Sequence, residues 1–519
     1  MRLESMQLAV TRLTRCAGQI SVGIVDADES GWLELARTAR SEQRRLIAMW
    51  GSEAVEGAFS MNVAYECEDG ILWVRLAIGH KQDARGDYPD LVPVFPCAIR
   101  MQRAIFDLIG LRAQGAEDTR PWLNHGNWPS DYFPLQRQAT GVEAFESSEA
   151  DYPFVQVAGD GVHEIAVGPI HAGIIEPGHF RFSVVGEKVL RLEERLGYVH
   201  RGVERLFEGT PASRGHRVAA RIAGDSTVAF SWAFCMALEQ ATGTTLSKRA
   251  LYLRALLLER ERVANHLGDL GALGNDAGFG FGLAQFSRLK EDWIRMNART
   301  FGHRYLMDRI VPGGVALDVR PEDAAVLAEQ CEQIEREVHV MRKVYEDQSG
   351  LQDRFLGTGK LTAAVVEHFG VRGMAARASG RTFDVRANLR PAPYDELAVK
   401  AISDARGDVA ARVAVRFAEI DESLRLIRTL LADLPDGPIV VGMTPATATA
   451  RGVGWVEGWR GDVFVALDIA AGDVIARCHC HDPSWQNWPA LEHAIIGNIV
   501  PDFPLINKSF NLNYAGHDL

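Results

Sequence analysis

The chain has 519 residues, 47% hydrophobic, 24% charged and 8% aromatic, which excludes wholesale disorder and fibrous repeats. Lys and Arg total 56 against 68 Asp and Glu, a net charge of -12 with no basic tract, so nucleic acid is not an expected partner. The 7 cysteines are scattered with no C-x-x-C, which argues against a disulfide framework and for a reducing compartment.

The first residues carry neither a long apolar core nor a twin-arginine pair, so no signal peptide is expected. No run of about 18 apolar residues occurs, so no transmembrane helix is expected. Residues 1–135 read as a small α+β unit. Within it, 41–50 predict a helix, 71–78 a strand, and 100–108 a helix stopped by Gly110. Residues 124–131 are turn-rich, and 136–151, acidic and without periodicity, read as a linker. A second domain, 152–519, opens with strands at 154–157 and 164–167, a turn at Gly168-Pro169-Ile170-His171, and a strand at 180–185. Helices then dominate, at 251–273, 322–345 and 410–431, before a hairpin of 462–467 with 474–480. The expected fold class is α+β, a small N-terminal domain followed by a large, mainly helical one with a short β portion.

Two motifs invite assignments that their geometry opposes. In a strand, Cys478 and Cys480 point to one face and His479 and His481 to the other, which splits the four ligands a tetrahedral zinc site needs. Gly278-Phe279-Gly280-Phe281-Gly282 lacks the strand-turn-helix context of a nucleotide loop, so no nucleotide site is assigned. Cys235 lies on an apolar helix face and reads as core.

Several segments, in order, resemble a known family. Gly168-Pro169-Ile170-His171-Ala172-Gly173-Ile174-Ile175-Glu176-Pro177-Gly178-His179-Phe180-Arg181-Phe182 is similar to the start of the large subunit of group 4 [NiFe] hydrogenases. Gly197-Tyr198-Val199-His200-Arg201-Gly202, His266-Leu267-Gly268-Asp269, Phe301-Gly302-His303-Arg304 and Ala376-Arg377-Ala378-Ser379-Gly380 continue the resemblance, with Asp384, Arg386 and Pro393-Tyr394 after them. The 49 kDa subunit of respiratory complex I shares this fold. Arg100-Met101-Gln102-Arg103-Ala104-Ile105-Phe106-Asp107 resembles the 30 kDa complex I subunit, with Gln102 and Ala104 where acidic residues are usual.

The resemblance implies a nickel centre on four thiolates, and here the sequence departs. The matching positions hold Ala223, Ser226, Asn513 and Gly516, poor or empty ligands for a soft-metal site, so no metal and no cofactor are expected on this chain. The family's processed C-terminal peptide is not expected after Gly516, since the chain stops at Leu519. The quinone-site reading is also incomplete. The tyrosine expected after Arg221 is missing, although His179 offers a donor to a quinone carbonyl.

What the resemblance implies is then specific. Glu176 and His179 are candidates for a proton relay, with Arg377 and Asp384 in the same cavity or as a structural ion pair. His171, Arg221 and Arg386 line a cavity, against which a small partner subunit carrying a [4Fe–4S] cluster docks. His200, Arg201 and Glu204 face that partner. Membrane ion-translocating subunits complete an assembly on the cytoplasmic side of a membrane, in which this chain shapes a cavity for an electron acceptor, quinone being one class. The isolated chain is expected to be inactive. Two other readings stay open: a scaffold with a vestigial cavity, and an enzyme with a non-standard metal site drawn from Asp225, Ser226, His517 or Asp518.

Overall fold

The computed structural model describes residues 2, 13–16, 18–54, 57–79, 86–148, 151–173 and 175–519. The N-terminal part is a five-stranded sheet with two helices. Its elements run β1 (Leu13–Cys16), β2 (Ser21–Ala27), α1 (Glu29–Ser41), β3 (Leu46–Glu53), β4 (Phe59–Cys67), β5 (Gly70–Gly79), β6 (Gly86–Pro89), α2 (Ala98–Ile109) and β7 (Leu111–Gln114). The sheet order is β1-β2-β5-β4-β3, with only β2 and β5 parallel, while β6 and β7 form a separate parallel pair. Asp28 caps α1 by accepting from Gly31 N at 2.8 Å. Gly110, at φ 80°, ends α2 in the left-handed conformation its sequence predicts. Gln102, one of the departures from the family pattern, pins the loop before α2. It donates to Asp90 Oδ1 (2.8 Å) and accepts from Leu91 N (3.1 Å).

The large part begins with the antiparallel sheet β8 (Val162–Val167), β9 (His179–Val185) and β10 (Lys188–Arg195). Short helices α3 (Val203–Phe207) and α4 (Gly215–Ala219) lead to α5 (Thr227–Thr242), α6 (Lys248–Asp276) and α7 (Gly280–Phe301). After a small hairpin, β11 (Ile310–Val311) with β12 (Gly314–Val315), come α8 (Pro321–Asp347), α9 (Ser349–Phe355), α10 (Ala363–Phe369), α11 (Gly373–Arg377), α12 (Val385–Asn388) and α13 (Val409–Ala432). The antiparallel sheet β13 (Ala450–Glu457), β14 (Asp462–Ala470), β15 (Val474–His481) follows, then α14 (Ser484–Ala494), α15 (Phe503–Phe510) and α16 (Ala515–Asp518). Helix α6 is the axis, packed by α5, α7 and α13. Helix α5 lies directly on β13, where Gly452 and Gly454 make room. A Cβ on Gly454 would meet Ala233 O at 1.8 Å.

The α+β class is observed, and the strands at 71–78 and 164–167, the long helices and the final hairpin lie inside observed elements. Two predicted elements are corrected. Residues 41–50 are a turn followed by β3. A buried apolar run of this length has no period that separates helix from strand, and β3 is an edge strand whose carbonyls the large domain occupies. Arg372 Nη2 donates to Leu46 O and Ile47 O, both at 2.9 Å, and Arg477 Nε donates to Gly51 O at 3.2 Å. The edge is thereby closed to other strands. Residues 154–157 are extended but join no ladder, because Val155 N donates to the Glu193 carboxylate (2.8 Å) instead. Among the described residues no helix is long and apolar enough to cross a membrane.

Candidate functional site

The fold brings the turn before α5 against the turn between α15 and α16. Arg460, in the tight β13–β14 turn, bridges them. Its Nη1 and Nη2 donate to the two carboxylate oxygens of Asp225 at 2.9 and 2.5 Å, Nη1 also donates to Ser226 Oγ (3.2 Å), and Nε donates to Asn511 O (2.5 Å). The guanidinium lies 4.0 Å from the centre of the Trp459 ring, whose Nε1 donates to Asp225 O at 2.8 Å. Burial would raise the Asp225 carboxyl, but the Arg460 charge outweighs it and holds Asp225 below its ordinary value.

Asn513 is locked on the far side. Its N donates to Ser484 Oγ (2.9 Å), its Nδ2 donates to Asp482 Oδ2 (3.1 Å), and its Oδ1 accepts from Gly516 N (2.9 Å). A Cβ on Gly516 would meet Asn513 Nδ2 and Asp482 Oδ2, both at 2.6 Å. Asp482 is raised by its burial, with Arg460 acting against it.

Glu176 reaches this cluster from its rim. Its Oε2 accepts from Ala515 N at 3.1 Å, and partial burial raises its carboxyl while that hydrogen bond and Arg201 oppose the rise. Behind it, Asp518 Oδ2 accepts from Val199 N (3.1 Å), Asp518 O bonds His200 Nδ1 (2.7 Å), and His517 Nδ1 bonds Asp518 Oδ1 (2.8 Å). Burial lowers the His517 imidazole, which stacks on Trp485 with ring centres 4.1 Å apart.

His171 Nε2 bonds Gly178 O (2.8 Å) and His179 Nδ1 bonds Gly168 O (3.3 Å), so both imidazoles brace the 168–179 loop. Burial lowers the His179 imidazole, which lines a cavity of about 210 Å³ with His125, Tyr152, Arg195 and Tyr198. Arg221 lies on the surface, where it lines a separate cavity of about 250 Å³ with Arg201 and is bidentate to Asp308 with both distances 2.8 Å.

Arg377, Asp384 and Arg386 are sealed in the core. Arg377 Nη1 donates to Glu457 Oε1 (2.6 Å) and its Nε to Glu419 Oε1 (2.9 Å), with Asp384 3.8 Å away. Arg386 clasps Asp384 at 2.7 Å and both oxygens of Glu259 at 2.9 Å. Tyr394 and Ser423 also donate to Glu259 (2.8 and 2.7 Å), and His266 bonds Glu419 (2.8 Å). Burial opposes ionisation of Asp384, yet Arg386 and then Arg377 hold it at about 2. Glu457, buried beside the Asp384 charge, is raised to about 7 despite Arg377.

The expected outward face of His200, Arg201 and Glu204 divides. Helix α3 starts only at Val203, and Glu204 turns inward to Arg477 (2.9 Å) and His479 (2.7 Å). Sequence reasoning missed Arg460, whose turn position resembles any loop arginine. It also missed Glu261, on helix α6. Glu261 accepts from Val228 N (2.7 Å) and Ala229 N (3.2 Å), and burial raises it to about 8.

Residues 276–452 match the family described as respiratory-chain NADH dehydrogenase, 49 Kd subunit, and residues 25–144 match its 30 Kd subunit. A chain in the solved structure of the membrane-bound sulfane sulfur reductase (MBS), an archaeal respiratory membrane complex, shares the fold. That match has a TM-score of 0.65 and 24% identity, covering 69% of this chain and 99% of that one. The molecule is thus a 49 kDa-type large subunit carrying a 30 kDa-type domain in the same chain. It is 30% identical over 499 residues to Formate hydrogenlyase subunit 5 of Escherichia coli (strain K12), covering 94% of this chain and 85% of that protein. Hydrogenase-4 component G of the same organism is 29% identical over 475 residues, covering 90% of this chain and 81% of that protein. The chain belongs to this family.

Proposed function

We propose that this chain is the acceptor-site subunit of a membrane-associated oxidoreductase of the complex I and hydrogenase type, and that it works without a nickel centre. A small partner carrying a [4Fe–4S] cluster delivers electrons, and the rim around Glu176 takes up protons as an acceptor, of the quinone class, is reduced. Membrane subunits couple that step to ion movement, and the chain sits peripherally on the cytoplasmic side. The observation that carries the reading is Arg460. A guanidinium ion-paired to Asp225 joins the segments where the family's thiolates stand, beside a Gly516 whose Cβ would have no room. Ala223, Ser226, Asn513 and Gly516 offer no thiolate, so the residues do not fit the nickel group and no step runs through it. Glu176 suits a proton relay, since it sits at the rim of the cluster with its carboxyl shifted towards the neutral form.

The test is acceptor reduction by the native assembly, purified from membranes through this chain, with a short-chain quinone and a low-potential electron donor. Turnover is expected, with Glu176→Gln lowering it about 10²-fold and leaving assembly intact. An intact assembly that reduces no acceptor overturns the proposal in favour of a scaffold.

A further inference from the structure

A second cavity, of about 290 Å³, opens at the seam between the two domains. One wall is the α1–β3 turn, carrying Arg40, Arg44 and Arg45, and the other is the 366–388 region, carrying Glu367, His368, Arg381 and Asn388. Four guanidinium groups therefore face two carboxylates, Glu66 and Glu367, in a chain whose overall charge is -12. Arg44 pairs with Glu68 outside the lining, Arg45 pairs with Glu66 and, at 3.7 Å, with Asp462 outside the lining, and Arg381 pairs with Glu367 at 2.8 Å. Arg40 has no carboxylate partner among the described residues. Its Nη1 crosses the seam to a backbone oxygen, Glu367 O, at 3.1 Å. Among the described residues Arg44 Nε and Arg45 Nη2 have no acceptor, and both atoms are closed to solvent. Cys97, also in the lining, adds no negative charge, since burial pushes its thiol up to about 11.

The turn is held in an unusual shape, with Gln43 in the left-handed region at φ 57°. Arg45 lies 4.4 Å from the centre of the Phe383 ring across the seam, so cations and an aromatic share the cleft. Guanidinium groups lining a cavity far larger than one water, with Arg40 free of any carboxylate among the described residues, suit an anionic group on an organic body.

We propose that this cleft binds a small organic molecule bearing a phosphate or diphosphate, which ties the N-terminal domain to the large one. The ligand is held by Arg40, with Arg44 and Arg381 adding positive charge, and its body lies in the cavity along the seam. The site is separate from the acceptor site, so it stands or falls independently of the function proposed above.

The test is calorimetric titration of the full chain with pyrophosphate, ADP, adenosine and malonate at one ionic strength. Saturable binding of pyrophosphate and ADP, absent for adenosine, is expected. Arg40→Ala should weaken it about tenfold or more, the loss of one charge-assisted hydrogen bond. Arg336→Ala, on the exposed face of α8, is the control and should leave it unchanged. Arg40 contributes a single backbone contact, so its variant is expected to fold, which its circular dichroism will verify. ADP binding without pyrophosphate binding, malonate binding as tight as pyrophosphate, no binding at all, or binding unaffected by Arg40→Ala overturns the proposal.

Discussion

Two arginine-centred clusters in the large domain invite comparison. Around Arg377 and Arg386, every group is sealed, and each carboxylate meets at least one cation and usually a further donor. Around Arg460 the same chemistry is left open. Asp225 keeps 37% of its side chain exposed, against 1% for Asp384. Removing one member of a sealed network strands a charge in the core, whereas an open pair can fall back on water. The first cluster is therefore sealed from solvent, and the second reaches it.

The largest expected effect breaks the sealed network. Arg377→Leu leaves Glu419 and Glu457 without their main cation and should cost about 3–5 kcal/mol in urea unfolding. Arg460→Leu should cost less, about 1–3 kcal/mol, because Asp225 reaches solvent. Equal costs for the two variants would erase the distinction.

A pH experiment sharpens it. Glu261 is raised to about 8 by burial, so between its ordinary value and that point the folded chain keeps a proton that the unfolded chain releases. Its contribution is fully present at low pH and is lost as pH rises through about 8. Glu261→Gln should reduce the fall of stability over that window by up to ~1.4 kcal/mol per pH unit. An unchanged slope in melting measured from pH 5 to 8 would contradict this. The smallest effect is expected at the surface pair, where Asp308→Ala should cost under ~1 kcal/mol and the loss should shrink in high salt.

How much of this was legible varied with the kind of signal. Long helices such as α6 and α13 show in their apolar spacing, and Gly110 shows as a stop. β3 was hidden, because a strand buried on both faces and capped by arginines 326 and 426 residues away leaves no local period. The family motifs are legible in the sequence, as are the residue types Ala223, Ser226, Asn513 and Gly516. The partners were not visible. Nothing local says that Arg377 faces Glu419 and Glu457 across the core while Arg221 faces solvent, or that Glu204 turns from the surface to His479. Those contacts depend on tertiary packing, as does Arg460, whose role exists only once two distant turns meet.

The most direct measurement is elemental analysis of the assembly purified from membranes with its partner subunits. Iron in cluster proportion with nickel near zero is the expected result. One nickel per chain would contradict the central claim and require ligands other than the four positions that hold Ala223, Ser226, Asn513 and Gly516.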